Sequence, residues 1–363
     1  MRAAICREFG APFSIEEVEL ATPGRGEVRC AVRAAAICHS DVIFAEGGWG
    51  GSLPAVYGHE AAGVVLETGP VVNGLAPGDH VVITMLRHCG ACPCCQRGLH
   101  GACESHFPLD GASPILTRDG TQITQGLRTG AFAEEVVVEA SQLVRIEPDI
   151  PFDVASLVAC GVITGYGAVV NTAKVEAGQD VAVIGTGGVG LNSVQAARAL
   201  GARRVIAIDL EDAKLEAATR FGASHCINGR EEYAVERVAQ ITGARGLDHA
   251  FVTVGAPQAF DQSYAMLAPG GASVLVGVAA IGAQSTFDPV TLTGGAQRIL
   301  GSKLAADIHR DIPEIMRLYR AGRYQLDELI SRRFAFDEIN AAMEAARKGE
   351  GVRNVVMVSE ATP

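Results

Sequence analysis

The sequence predicts an α/β protein of two domains, an irregular β-rich domain and a doubly wound parallel sheet inserted between that domain's N- and C-terminal parts. Three observations carry the prediction. The chain has 363 residues, more than the ~250–300 over which a single hydrophobic core keeps growing. The first ~150 residues, a usual domain size, consist of short apolar runs broken by glycine and proline, such as "EVRCAVRAAAI", "HEAAGVVLETG", "GDHVVIT" and "FAEEVVVEASQLVRI". From Pro151 the texture changes, and "QDVAVIGTGGVGLNSVQAARALGARRVIAID" reads as strand, glycine turn, helix and strand.

Each element follows from its pattern. The early runs are too short and too interrupted for helices and read as many short strands. The apolar run 181–184 has the length of a buried parallel strand, and Ala196, Ala197 and Leu200 fit a helix face packed on a sheet. "HCIN", "LDHAFVTVG" and "GGASVLVGV" continue the alternation of strand and helix. After Gly301, "RDIPEIMRLYRAG" and "FDEINAAMEAARKG" have helical periodicity and "RNVVMV" reads as a final strand. No repeat, low-complexity stretch or disordered linker interrupts this order, so the tail is expected to return to the first domain. The expected boundaries are 1–161 with 303–363 for the β-rich domain and 162–302 for the nucleotide domain.

Composition excludes several classes. Hydrophobic residues make up 48% and charged residues 20%, a globular balance. Thirty basic against 41 acidic residues leave a net charge of −11, with no basic block, so nucleic acid and anionic membranes are poor partners. The opening "MRAAICREFGAPFSIEE" carries charges where a signal peptide needs an apolar core, and no long uncharged apolar run is expected after it. A soluble, cytoplasmic protein is the expectation.

Five of the ten cysteines fall in "HCGACPCCQRGLHGAC", residues 88–103. In a reducing compartment these read as metal ligands rather than disulfides. Cys89, Cys92, Cys95 and Cys103 have the spacing C-x2-C-x2-C-x7-C, and four thiolates satisfy tetrahedral zinc with no open position, which makes a structural site. Cys94 falls outside this register and reads as a bystander, with a swapped ligand as the alternative. A redox pair or an iron–sulfur site lacks its usual sequence context here. A second, open site is expected from dispersed residues: Cys38 in "CHSD", His59 in "GHEAAG" and Cys160 in "VACGVITGYG". Two thiolates and one imidazole leave a fourth zinc position for water or an alcohol oxygen.

"GTGGVG" supplies Gly185, Gly187 and Gly190 in G-x-G-x-x-G spacing, with Gly188 and Val189 between them. The three glycines serve a tight turn, close approach of a pyrophosphate and close helix–sheet packing, with the phosphates at a helix N-terminus. Asp209 ends the next strand, where an acid accepts bonds from ribose hydroxyls and repels a 2′-phosphate. Leu210, Glu211 and Asp212 follow without an arginine, which favours NAD over NADP.

Together these motifs make the chain resemble, over essentially its full length, the zinc-dependent alcohol dehydrogenases of the medium-chain dehydrogenase/reductase superfamily. The resemblance implies a GroES-like catalytic domain, an inserted Rossmann domain, a cleft between them, and two zinc ions per subunit. Carried over by position, Cys38, His59 and Cys160 hold the catalytic zinc, Asp41 bonds the outer nitrogen of His59, and Glu60 lies behind the metal. Ser40 contacts the substrate oxygen and accepts its proton. His39 and Arg353 approach the coenzyme pyrophosphate, Lys214 the adenosine ribose, and Thr164 the nicotinamide. Many relatives carry a relay histidine five positions after the first-motif cysteine; Ile43 stands there, so the proton leaves by another route. Trp49, Met85 and Phe107 take pocket-wall positions. Trp49 and Phe107 occupy the places where glutathione-conjugate dehydrogenases carry an acid and an arginine. The implied reaction is reversible oxidation of an uncharged primary or aromatic alcohol by hydride transfer to NAD, in a homodimer. The alternatives are a glutathione-dependent formaldehyde dehydrogenase, a polyol dehydrogenase, and, outside enzymes, a zinc-stabilised nucleotide-binding module.

Overall fold

The computed structural model describes residues 1–304 and 307–358. The chain divides into two compact units, Met1–Gly161 with Asp307–Arg317 and Leu326–Pro363, and Val162–Ala306 with Leu318–Gln325.

The first unit is β-rich. The spine of its seven-stranded sheet is Glu27–Ala36, which pairs antiparallel with Glu60–Thr68 on one side. Its other side is shared between Glu135–Glu139, paired over residues 27–31, and Arg353–Met357, paired over 34–36. The spine is buried along almost its whole length, which explains its lack of polar alternation. Glu60–Thr68 can close on it because of Gly63, where a Cβ would fall 1.9 Å from the Ala31 carbonyl oxygen. Val28, Cys30 and Val32 share a core with Val65, Ile83, Val136, Phe334 and Val356. A second sheet of six short strands completes the unit. Beside it, Leu127 (φ 51) and Arg128 (φ 61) are consecutive left-handed residues, each carrying a Cβ penalty of roughly 1–2 kcal/mol.

The second unit is a parallel sheet of six strands. In spatial order they are His225–Asn228, Arg204–Asp209, Asp180–Ile184, Leu247–Val252, Leu267–Leu275 and Arg298–Gly301. Numbered along the chain this is 3-2-1-4-5-6, the doubly wound order, whose direction reverses at Asp180–Ile184. All five residues of that strand are buried. Gly222 and Gly243 adopt left-handed conformations that terminate the helices Asp212–Phe221 and Ala234–Thr242.

Two expectations need correction. Leu318–Gln325 joins the parallel-sheet unit instead of the β-rich one. The Gln195 side chain on the helix Gly188–Ala199 bonds both the Gln325 carbonyl (3.0 Å) and its amide (2.8 Å), and Tyr324 donates its hydroxyl to the Asn192 carbonyl at 3.1 Å. Nor is the chain free of long apolar runs. The helical stretch Phe152–Ala173 is long and apolar enough to cross a membrane, and its residues 154–173 carry no charge. Because 94% of that apolar window is buried within the protein, it is a core helix, apolar all round for that reason.

Candidate metal centres and nucleotide site

Cys38 caps the N-terminal end of the short helix His39–Ala45. The carboxylate of Asp41, fully buried in the first turn, accepts the Cys38 backbone N–H at 3.0 Å through one oxygen. Its other oxygen accepts the Gly58 N–H and the His59 Nδ1–H, each at 3.0 Å. One carboxylate therefore fixes the backbone at both ligand-bearing turns and the tautomer of the imidazole, as outer-sphere carboxylates do. Gly58 permits the turn with φ +90, and a Cβ there would strike Phe132 at 2.6 Å. The third position, Cys160, lies in a π-helical turn, Val158–Val162, inside the long core helix. Single π turns recur at functional sites because the extra residue re-aims a side chain.

These three residues and Glu60 converge, and one ligand atom from each lies within 4.8 Å of all the others. His59 Nε2 and Glu60 Oε1 are buried with no hydrogen-bond partner among the described residues. Orphaned buried polar atoms are costly unless something coordinates them, and two thiols, an imidazole nitrogen and a carboxylate oxygen are a fitting donor set for zinc. The four groups strongly perturb one another's ionisation. A hydrogen bond from Cys160 holds the Cys38 thiol well below its ordinary pKa against burial, with the charge of His59 assisting. Cys160 is correspondingly raised, by sharing that hydrogen bond and by burial. Burial opposes protonation of His59, but Asp41 and Cys38 overcome it and raise its pKa well above the usual value. Burial pushes Glu60 up to about 8 despite the charge of Arg353.

Arg353 forms a buried ion pair with Glu60. Gly161, next to Cys160, makes room for it, since a Cβ there would sit 2.2 Å from Arg353 Nη1. Both residues were singled out in the sequence for separate roles; their pairing, 293 positions apart, left no sequence signal. Ser40 Oγ lies 3.6 Å from Cys38 Sγ, and His39 is exposed.

The four lobe cysteines also converge, while Cys94 stands outside the group and contacts Glu104 and Arg97. Cys89 and Cys95 sulfurs are 3.9 Å apart, as are those of Cys92 and Cys103. Tetrahedral zinc with Zn–S of ~2.3 Å requires edges of roughly 3.8 Å. Backbone amides of Ala91 and Cys92 point at Cys89 Sγ (3.4 and 3.2 Å) and that of Cys95 at Cys92 Sγ (3.5 Å), the orientation that spreads thiolate charge. The Ser105 hydroxyl and those amides bring Cys89 down to about 6, whereas burial pushes Cys95 up to about 12.

In the second unit, Gly185 has φ +86 and Gly190 sits where a Cβ would be 1.9 Å from the Gly185 carbonyl oxygen. Nothing lies within 4 Å of a Cβ built on Gly187, which precedes the first turn of Gly188–Ala199. The turn thus leaves open space over free backbone N–H groups of Gly188 and Val189, a fit for a phosphate. Asp209 fastens the turn: one oxygen accepts Thr186 N–H (2.7 Å) and its hydroxyl (3.1 Å), the other Leu210 N–H at 2.7 Å. Lys214 pairs with Glu211 at 3.0 Å, not with Asp209. Thr164 is buried on the helix Ile163–Gly167, whose Gly165 permits close packing against Val189.

The three pocket-wall candidates stand on three separate loops. Trp49 is half-buried with its ring edge-on to Phe44 at 5.3 Å, the Phe107 ring lies 5.8 Å below the Arg87 guanidinium, and Met85 is half-buried in its own loop.

Comparison with known proteins agrees with this geometry. Residues 24–148 match the family model of the alcohol dehydrogenase GroES-like domain, and residues 188–321 that of the zinc-binding dehydrogenases. Alcohol dehydrogenase B of Mycobacterium tuberculosis (strain ATCC 25618 / H37Rv) is 35% identical, covering 99% of this chain and 98% of its own. S-(hydroxymethyl)glutathione dehydrogenase of Paracoccus denitrificans is 34% identical, covering 98% of this chain and 99% of its own. The crystal structure of benzyl alcohol dehydrogenase from Acinetobacter calcoaceticus superposes with a TM-score of 0.92 at 31% identity, with 99% of each chain covered. The chain belongs to the zinc-dependent alcohol dehydrogenase family of the medium-chain dehydrogenase/reductase superfamily.

Proposed function

We propose that the protein oxidises an uncharged primary or aromatic alcohol to its aldehyde, reversibly, with NAD as hydride acceptor and two zinc ions per chain. The carrying observation is the convergence of Cys38, His59 and Cys160 around an unpartnered imidazole nitrogen. Zinc held there supplies Lewis-acid activation of the alcohol oxygen, as it lowers the pKa of bound water. NAD supplies the hydride acceptor. Asp41 keeps the His59 proton on Nδ1, leaving Nε2 for the metal. Ser40, beside Cys38, takes the proton of the substrate hydroxyl. With Ile43 in place of a relay histidine, the proton leaves Ser40 by a route that does not use that side chain. The Glu60–Arg353 pair places a compensating cation beside the two cysteines.

NAD is assigned from Asp209, which has no cationic neighbour at 210–212. Asp209→Gly with Leu210→Arg is expected to shift the NADP/NAD ratio of kcat/KM upward by about a hundredfold, since like-charge repulsion of several kcal/mol is removed. An unsubstituted enzyme that already prefers NADP would refute the assignment. A homodimer is the matching assembly. Val278, Ile281, Val290 and Ile299 are exposed apolar side chains in the stretch that leads into and forms the edge strand Arg298–Gly301, surface that a second copy would cover.

The substrate class rests on the apolar character of Trp49, Met85 and Phe107. The Arg87 guanidinium that lies over Phe107 is 1% exposed and committed to Gln142, Asp110 and the Arg128 carbonyl, so it cannot serve a charged conjugate. Steady-state kcat/KM for benzyl alcohol, S-hydroxymethylglutathione and sorbitol should rank benzyl alcohol first. Trp49→Ala should lower the benzyl alcohol value about tenfold, the scale of a lost apolar wall. Preference for the glutathione adduct would overturn the substrate class, and an unchanged profile in the variant would remove Trp49 from the pocket.

A further inference from the structure

Arg87 is among the largest fully buried side chains of the protein, in a sequence position with no recognisable motif. Its Nε donates to Gln142 Oε1 at 2.9 Å, its Nη1 to Asp110 at 2.9 Å and its Nη2 to the Arg128 carbonyl at 3.2 Å. Gln142, also buried, donates to the same Arg128 carbonyl (3.1 Å) and to that of Thr84 (2.8 Å). Asp110 accepts the Phe107 N–H at 3.0 Å, tying in the segment that follows Cys103. Two buried side chains thus converge on one carbonyl, that of the second of two consecutive left-handed residues, neither of them glycine.

What that turn supports is the His59 side of the metal centre. Gly126, at its start, lies against the Tyr57 ring, where a Cβ would be 2.5 Å away. Just past it, Ala131 N–H bonds the Gly58 carbonyl and Phe132 N–H the Tyr57 carbonyl, both at 2.9 Å. Gly58 in turn donates to Asp41, the carboxylate that orients His59. A continuous chain of bonds therefore runs from the buried guanidinium through the strained turn to the ligand histidine.

We propose that Arg87 is a positioning residue for the catalytic metal centre. Its planar fork holds the Leu127–Arg128 turn in its left-handed form, and that turn sets the backbone from which His59 projects. The same fork, through Asp110, ties the four-cysteine lobe to that backbone. The proposal rests on the reading of Cys38, His59 and Cys160 as metal ligands.

The test uses the full-length enzyme with cobalt(II) in place of zinc. Arg87→Met is expected to lower kcat about ten- to a hundredfold with KM for the alcohol nearly unchanged, the signature of a misplaced reacting group. It should also shift the cobalt absorption bands and raise amide exchange in peptides spanning 56–60 and 126–132, leaving 180–209 as before. Arg87→Lys, which keeps the charge but has no fork, should recover little. Leu127→Gly in the Arg87→Met background relieves left-handed strain while keeping the Arg128–Asp110 ion pair, and should restore kcat and the bands. A variant that merely melts earlier, with kcat, bands and exchange at 56–60 unaltered, overturns the proposal. If Arg87→Met does not fold, Gln142→Leu removes the second clamp on the same carbonyl and is judged by the same readouts. Failure of the metal reading itself is separately visible, because Cys38→Ser would then keep its full cobalt content.

Discussion

Replacing Cys38 by serine, or His59 by alanine, is expected to abolish alcohol turnover and to remove one zinc per chain while leaving the fold intact. An open site with three protein ligands has none to spare. The loss should stay local. Asp41 bonds the backbone N–H groups of Cys38 and Gly58, so both turns keep their anchor when one side chain is changed. Metal analysis, circular dichroism and turnover on the same preparation decide it. Full activity in a protein that has lost this ion would end the proposed mechanism.

Substitution in the four-cysteine lobe should give the opposite pattern. In Cys92→Ser the sulfur that lies 3.9 Å from Cys103 and receives the Cys95 amide is gone, and a closed site loses one of four ligands. Structural zinc contributes directly to folding free energy. A loss of a few kcal/mol lowers the melting temperature by about 3–5 °C in a chain of this size. Folded, metal-loaded molecules should turn over at close to the usual rate. Calorimetry with kinetics on the surviving fraction separates the two sites. A Cys92→Ser protein of unchanged stability would mean that this lobe is not a structural metal site.

The features legible in the sequence are those whose chemistry is compressed into a short stretch. The lobe and the glycine turn each fit within sixteen residues or fewer, and their spacing reflects local geometry. Cys38, His59 and Cys160 were legible only jointly, because a lone cysteine or histidine is ambiguous. The Glu60–Arg353 pair was not legible, since strand pairing across the sheet brings the two together and no local pattern records that. Arg87 escaped for a different reason: an arginine in sequence reads as surface, and its burial depends on three partners from separate loops. The apolar stretch 154–173 was overlooked among glycine-punctuated runs, although its lack of charge is plain in the letters themselves. Leu318–Gln325 could not be placed because its attachment comes from three side-chain bonds to the helix Gly188–Ala199, not from its own periodicity.

The position of Arg353–Met357 sets an order of events during synthesis. It is the last strand in chain order, yet it lies in the interior of the larger sheet, between Glu27–Ala36 and Ile330–Ala335. Its partner strand emerges from the ribosome roughly 300 residues earlier and must wait, with half of one edge unpaired, while the parallel-sheet unit is made. The parallel-sheet unit can therefore fold ahead of the unit that encloses it in sequence. Arg353 opens that late strand, so Glu60 receives its counter-charge only after residue 353 has been made. A chain made only as far as residue 352 would expose both an unfilled sheet edge and an uncompensated carboxylate among the metal ligands.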